Sequence, residues 1–181
     1  MIYNSVADIF AANEDVRRRL VARVEGLGEA RANASAGGWS VAQIVEHLSR
    51  TERGVARTLE KILSEAAGGD GDATRAFAPF SLDDYVERSR ERKFEAPEFI
   101  RPRGLALTES LARLRESRAQ LESLRPRFES ADYSRQFAHP AFGMLNVGQW
   151  LAFVGMHEER HLRQIERTLG ETMKEERGTM K

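Results

Sequence analysis

Residues 157 to 165 read HEERHLRQI, so His157 and His161 stand four apart with Glu158 directly after the first. As a pattern this is H-E-x-x-H, in which zinc metalloproteases present two ligands and a general base from one helix. Peptide hydrolysis is therefore the first chemistry to consider, and it fails on its third ligand. A third histidine six residues beyond the second would fall on Arg167, and only a short tail follows Leu169 to carry a later glutamate. No strand is evident along which a peptide would align. A di-iron carboxylate centre fails too, because it takes two E-x-x-H pairs and two further carboxylates. Glu158 and His161 form one such pair, and no other helical segment offers the second.

The rest of the chain limits what these histidines can do. Its 181 residues suit a single domain able to bury a core without disulfides. Basic and acidic residues balance at 28 each, which removes the electrostatic case for nucleic acid or a membrane surface as partner. No apolar run approaches the roughly 20 residues that span a bilayer. The amino terminus lacks the basic start and apolar stretch of a signal peptide, so a soluble, cytoplasmic protein is expected. With no cysteine there is neither thiolate ligand nor cysteine nucleophile, and any metal must be held by histidine and carboxylate.

Four segments carry the three- and four-residue apolar spacing of helices. The first runs from Ile2 through Val6, Ile9, Phe10, Val16, Leu20 and Val24 to Leu27. The second spans about 40–63, the third about 105–128 and the fourth about 146–169. No period-two alternation marks a sheet. The expected fold is all-α, a four-helix bundle over 1–170, with a charged, frayed tail at 171–181. A short link joins helices one and two. A long crossover separates helices two and three, beginning at AAGGDGDATRAFAPF, with a short helix at SLDDYVERSRER and Pro97 and Pro102 beyond it. That length lets helix three run parallel to helix two, giving up-down-down-up order. Ser40 with Gln43 and Asn146 with Gln149 fit the capping-box spacing and fix the starts of helices two and four.

With those starts fixed, about 100° per residue places His157 and His161 between Trp150, Val154, Ile165 and Thr168, mid-face on helix four. Buried imidazoles need partners. Either they are core histidines bonded to carbonyls or to each other, or they converge on a metal ion. His47 is the best third ligand. It stands at the shoulder of helix two's stripe, above the small residues Thr51, Gly54 and Thr58. It lies about 10 Å along its helix, and His157 and His161 about 16 to 22 Å along theirs. In antiparallel helices about 30 Å long these heights coincide.

The segments WSVAQIVEHLSRTE and HPAFGMLNVGQWLAFVGMHEERHLRQI, in this order and spacing, resemble the DinB-like family, also described as YfiT-like metal-dependent proteins. The resemblance covers residues 3 to 170. It implies an up-down-down-up bundle holding one divalent ion, zinc or nickel, on three histidines, which fall on His47, His157 and His161. It also implies a choice of activities. Some members are thiol transferases that use the metal to activate a low-molecular-weight thiol such as bacillithiol, others are mycothiol-dependent isomerases, and many are described as metal-dependent hydrolases. The expectation drawn from it is a thiol-dependent S-transferase with the thiol as cosubstrate. A hydrolase using metal-bound water and a non-catalytic, metal-braced binding module are the alternatives. A small-molecule substrate is expected, with a homodimer as the assembly to test.

The other polar residues carry smaller expectations. Glu158 lies about 80° off the histidine face, placed to act as general base or to orient a ligand, or else solvated at the surface. Gln164 and Thr51 lie nearer the histidine faces and could orient an imidazole. His139 falls in a loop at the far end of the bundle and reads as structural. The arginines Arg17, Arg18, Arg19, Arg113, Arg115 and Arg118 read as solubility surface.

Overall fold

The structure is a computed structural model that describes residues 1–35, 37–65, 76–90 and 95–179. Its elements run β1 (Ile2–Tyr3), α1 (Val6–Val24), α2 (Glu29–Asn33), α3 (Val41–Glu65), β2 (Phe80–Ser81), α4 (Asp83–Arg90), a 3-10 turn at Glu98–Ile100, α5 (Leu107–Ser123), α6 (Arg125–Glu129), β3 (Phe137–His139), β4 (Gly143–Leu145) and α7 (Val147–Thr179). The long helices α1, α3, α5 and α7 form a four-helix bundle. The start of the crossover, 66–75, residues 91–94, which include the end of the expected short helix, and residues 180–181 lie outside the described residues.

Capping sets where the two site-bearing helices begin. Gln43 N–H donates to Ser40 Oγ at 3.3 Å, and Ser40 N–H donates back to Gln43 Oε1 at 2.9 Å. Asn146 and Gln149 repeat the exchange, both bonds at 2.9 Å. Each box satisfies two N–H groups that a helix start otherwise leaves unpaired.

Bonds between helices give their directions. Asn13 reaches the Leu151 carbonyl, Arg17 reaches Glu158 and Arg19 reaches Glu159, so α1 and α7 run together. Glu52 meets Arg118 and Glu60 meets Gln120, so α3 and α5 run together. Between α3 and α7 the order reverses: His47 meets His157, while Val55, two turns later, faces Phe153.

The apolar interior is divided in two. One cluster gathers Phe10, Leu59, Leu63, Phe128, Trp150 and Leu151, and the other Leu20, Ile44, Val45, Leu114, Leu162 and Ile165. At the level between them each long helix carries polar side chains.

Four local expectations need correction. Two antiparallel ribbons exist, pairing Tyr3 with Phe80 and Ala138 with Met144; their strands of two or three residues are too short to show alternation. Ile2 therefore belongs to a ribbon and is exposed, not part of helix one. The third helical segment breaks at Leu124, because Pro126 lacks an N–H and cannot continue the ladder, and α6 restarts with it in the first turn. The fourth helix does not end near Leu169. It runs on to Thr179, with Glu171 and the run 173–177 supplying residues that favour helix.

Candidate metal centre

His47 leaves α3 in its second turn, and His157 and His161 leave α7 one turn apart. Opposed helix directions bring the three rings together. Nε2 of His157 lies 3.3 Å from Nε2 of His47 and 3.1 Å from Nε2 of His161. One nitrogen from each of the three lies within 4.8 Å of the others. Two of the outward nitrogens are already engaged. The Ile100 carbonyl, which can only accept, takes the hydrogen of His47 Nδ1 at 3.0 Å. Gln164 Oε1 takes that of His161 Nδ1 at 2.8 Å. Both rings therefore present an Nε2 lone pair inward.

These residues fit a divalent ion. Metal–imidazole distances of about 2.0–2.1 Å, with angles between about 90° and 110° at the ion, put neighbouring nitrogens about 2.8–3.4 Å apart. The observed 3.1 and 3.3 Å fall in that interval. Protonation states agree. Burial lowers the His161 pKa to about 3, helped by the proximity of His47. His157 is pushed well below its ordinary value by burial and then by the neighbouring His161 and His47. Burial also lowers His47, against the opposing effect of its bond to Ile100. Three neutral rings are the ligating form of histidine.

A sequence model of the DinB superfamily matches residues 12–165. The chain belongs to the DinB superfamily. It is similar to the uncharacterized protein YuaE of Bacillus subtilis strain 168, with 29% identity over 149 residues, covering 78% of this chain and 85% of that protein. Two solved structures share the fold. TT2238, a four-helix bundle protein, aligns with a TM-score of 0.62 and 23% identity, over 90% of this chain and 98% of its own. YfiT from Bacillus subtilis aligns with a TM-score of 0.62 and 20% identity, over 93% of this chain and 87% of its own. It is described as a probable metal-dependent hydrolase with an unusual four-helix bundle topology.

Around the histidines of this DinB-superfamily chain lies a second polar cluster, and it changes the place of two arginines. Arg17 and Arg118, expected on the surface, are 6% and 8% exposed. They bind Glu52 and Glu158, so α1, α3, α5 and α7 each contribute one charge. Arg17 Nε donates to Glu158 Oε1 at 2.6 Å, and its Nη2 donates to Glu52 Oε2. Arg118 Nη2 donates to Glu158 Oε2 at 3.0 Å, and its Nε to Glu52 Oε1 at 3.3 Å. Ser117 Oγ donates to Glu52 Oε1 at 3.2 Å. The remaining guanidinium donors reach the carbonyls of Leu114 and Asn13. Glu158 is thus not solvated: it is 1% exposed with both oxygens bonded to arginine. Burial raises its pKa in spite of Arg17.

The smaller expectations divide. Gln164 does hold an imidazole, that of His161. Thr51 Oγ1 is buried without a hydrogen-bond partner and lines, with His157 and Glu158, a void of about 10 Å³. His139 is buried, but closer to the centre than a far-end loop allows. The β3–β4 ribbon folds it onto Trp150 and Phe153, with ring centroids 4.5 and 4.4 Å away. Phe153 in turn stacks on His157 at 5.4 Å. One phenylalanine ring separates His139 from His157. Arg18 and Arg19 pair with Asp15, and Arg113 with Glu109, in partly or fully exposed positions, as expected.

Proposed function

We propose that this DinB-superfamily chain is an enzyme that uses one divalent ion, zinc or nickel, on His47, His157 and His161 to activate a low-molecular-weight thiol toward a small electrophile. The observation that carries the reading is the convergence of three neutral Nε2 atoms spaced as ligands of one ion. An ion held by three neutral imidazoles keeps its double charge and an open position, and so favours the deprotonated form of a bound thiol or water near neutral pH.

The chain's own residues hold and shield the centre. Ile100 and Gln164 fix two ring orientations. Phe153 lies flat against His157 and keeps water from that side. Proton accounting favours a thiol. A free thiol has a pKa of about 8.5, so a modest shift suffices. Water must be lowered from 15.7 to about 7 and profits from a free base. Glu158, the carboxylate beside the ligand, would have to release Arg17 or Arg118 to act as that base. Since the chain has no cysteine, the sulfur comes from a soluble cosubstrate.

Hydrolysis by activated water is the second reading, favoured by the shared fold with YfiT. A panel of small thiols with a chromogenic electrophile, and a panel of esters and amides, separate the two. The first reading predicts thiol conjugation with zinc- or nickel-loaded protein only, lost in His157→Ala and retained in Glu158→Gln. Turnover of esters or amides without thiol, lost in Glu158→Gln, establishes the second. Inertness in both panels leaves an ion that only braces α3 against α7.

A further inference from the structure

The crossover returns over the histidines as a strap, Phe99 to Leu105, and three residues of α3 hold it there. Glu46, directly before ligand His47, is a carboxylate with 0% exposure. Its oxygens accept three successive main-chain N–H groups, from Arg103 at 2.8 Å and from Gly104 and Leu105 at 2.9 Å each. Gly104 has φ 90°, a conformation open to glycine that lets consecutive N–H groups face one anion. The N-cap of α5, Ala106, brings no side-chain hydrogen bond, so Glu46 also places negative charge at the start of that helix.

One turn further along α3, Arg50 Nη2 donates to the Phe99 carbonyl at 2.9 Å. Between these two anchors sits Ile100, whose carbonyl accepts from His47 Nδ1. The outer bond of a ligand therefore goes to a strap that is itself pinned on both sides.

We propose that Glu46 is a positioning residue of the metal centre, and that strap docking and ion binding are coupled through the Ile100–His47 bond. The inference rests on the three-histidine reading. Glu46 touches no inward-facing nitrogen and acts through the backbone it holds. An Nδ1–H bond fixes the ring plane and raises the basicity of Nε2, and loss of such a partner costs about 10–100-fold in metal affinity. Linkage is reciprocal: if the docked strap favours the ion, the ion must hold the strap down.

Glu46→Gln tests this while preserving shape, because its amide NH2 would face main-chain N–H groups and forfeit at least one bond. Zinc affinity is measured by chelator competition for the wild type, Glu46→Gln and Leu63→Ala. Leu63 is a stability control about 24 Å along α3 from His47, by a rise of about 1.5 Å per residue. Amide hydrogen exchange over 99–105 is followed with and without zinc. Expected are one zinc per chain throughout, at least tenfold weaker binding in Glu46→Gln, and unchanged affinity in Leu63→Ala. The Arg103, Gly104 and Leu105 amides should exchange more slowly once wild type is loaded. If wild type binds zinc but Glu46→Gln binds it equally well, or those amides ignore zinc, the coupling is overturned and the metal site stands. If wild type binds no zinc, the three-histidine reading falls and the coupling with it. Should Glu46→Gln fail to fold, Arg50→Met releases the Phe99 end of the strap and makes the same comparison.

Discussion

Two polar clusters cross the middle of this bundle side by side, and they meet the cost of burial in opposite ways. The Arg17–Glu52–Arg118–Glu158 layer takes one charge from each long helix, sums to zero and gives every carboxylate oxygen a donor. The histidine cluster takes three rings from two helices, keeps them neutral, and turns their Nε2 atoms toward one point. The first is complete within the chain, and the second has the form of a donor set for a cation. They share local backbone, since Glu158 follows His157 and Glu52 lies five residues after His47. We read the charged layer as the frame that fixes helix register and the histidines as the part that register serves.

The largest expected effect breaks the layer. Glu52→Ala leaves two buried guanidinium groups facing a single carboxylate, and loss of one partner from a buried pair costs about 3–5 kcal/mol. Urea unfolding of metal-free protein measures it. The same experiment on His157→Phe should show a clearly smaller loss, because removing a neutral ring leaves no charge behind. Equal losses would mean that the two clusters are not different in kind.

Acid should next separate the buried histidines, His139 included, from the charged layer. His139 and His161 have pKa values lowered by burial to about 4 and about 3, against an ordinary 6.5. A depressed histidine contributes stability that is whole above pH 6.5 and is lost as pH falls through the folded value. Metal-free protein should therefore weaken steadily below pH 6.5. His139 alone accounts for up to about 3 kcal/mol by pH 4, at about 1.4 kcal/mol per pH unit, and His139→Asn should flatten the profile by that amount. Glu158 has the opposite sign: its raised pKa makes protonation easier in the folded state, so mild acid costs nothing through it. A profile unchanged by His139→Asn would refute the assignment.

The smallest effect concerns the frame's starting points. Ser40→Ala and Asn146→Ala each remove one half of a capping box and should lower stability by about 1 kcal/mol. Zinc stoichiometry should not change in either. Loss of zinc binding at so small a stability cost would show that helix register is far less secure than the layer implies.

These differences also explain what the sequence made legible. The histidines stood out because their spacing is local, and the caps because a box lies within four residues. Arg17 and Arg118 did not, although each interrupts an apolar stripe: Arg17 falls between Phe10 and Leu20, and Arg118 between Leu114 and Leu121. What distinguishes them from a surface arginine is a carboxylate on another helix, which only the fold reveals. Ile100 was invisible for a stronger reason, since it acts through a main-chain carbonyl that every residue possesses. The break at Pro126 followed from proline chemistry but was masked by the leucine spacing around it.

Whether His47, His157 and His161 form one metal site is decided by titrating metal-free protein with zinc under calorimetric detection, in wild type and in His47→Ala, His157→Ala and His161→Ala. Wild type should show one tight site per chain, and every variant should lose or severely weaken it while staying folded through its intact Arg–Glu layer. Tight one-to-one binding that survives in all three variants, or no binding in wild type, would contradict the three-histidine site.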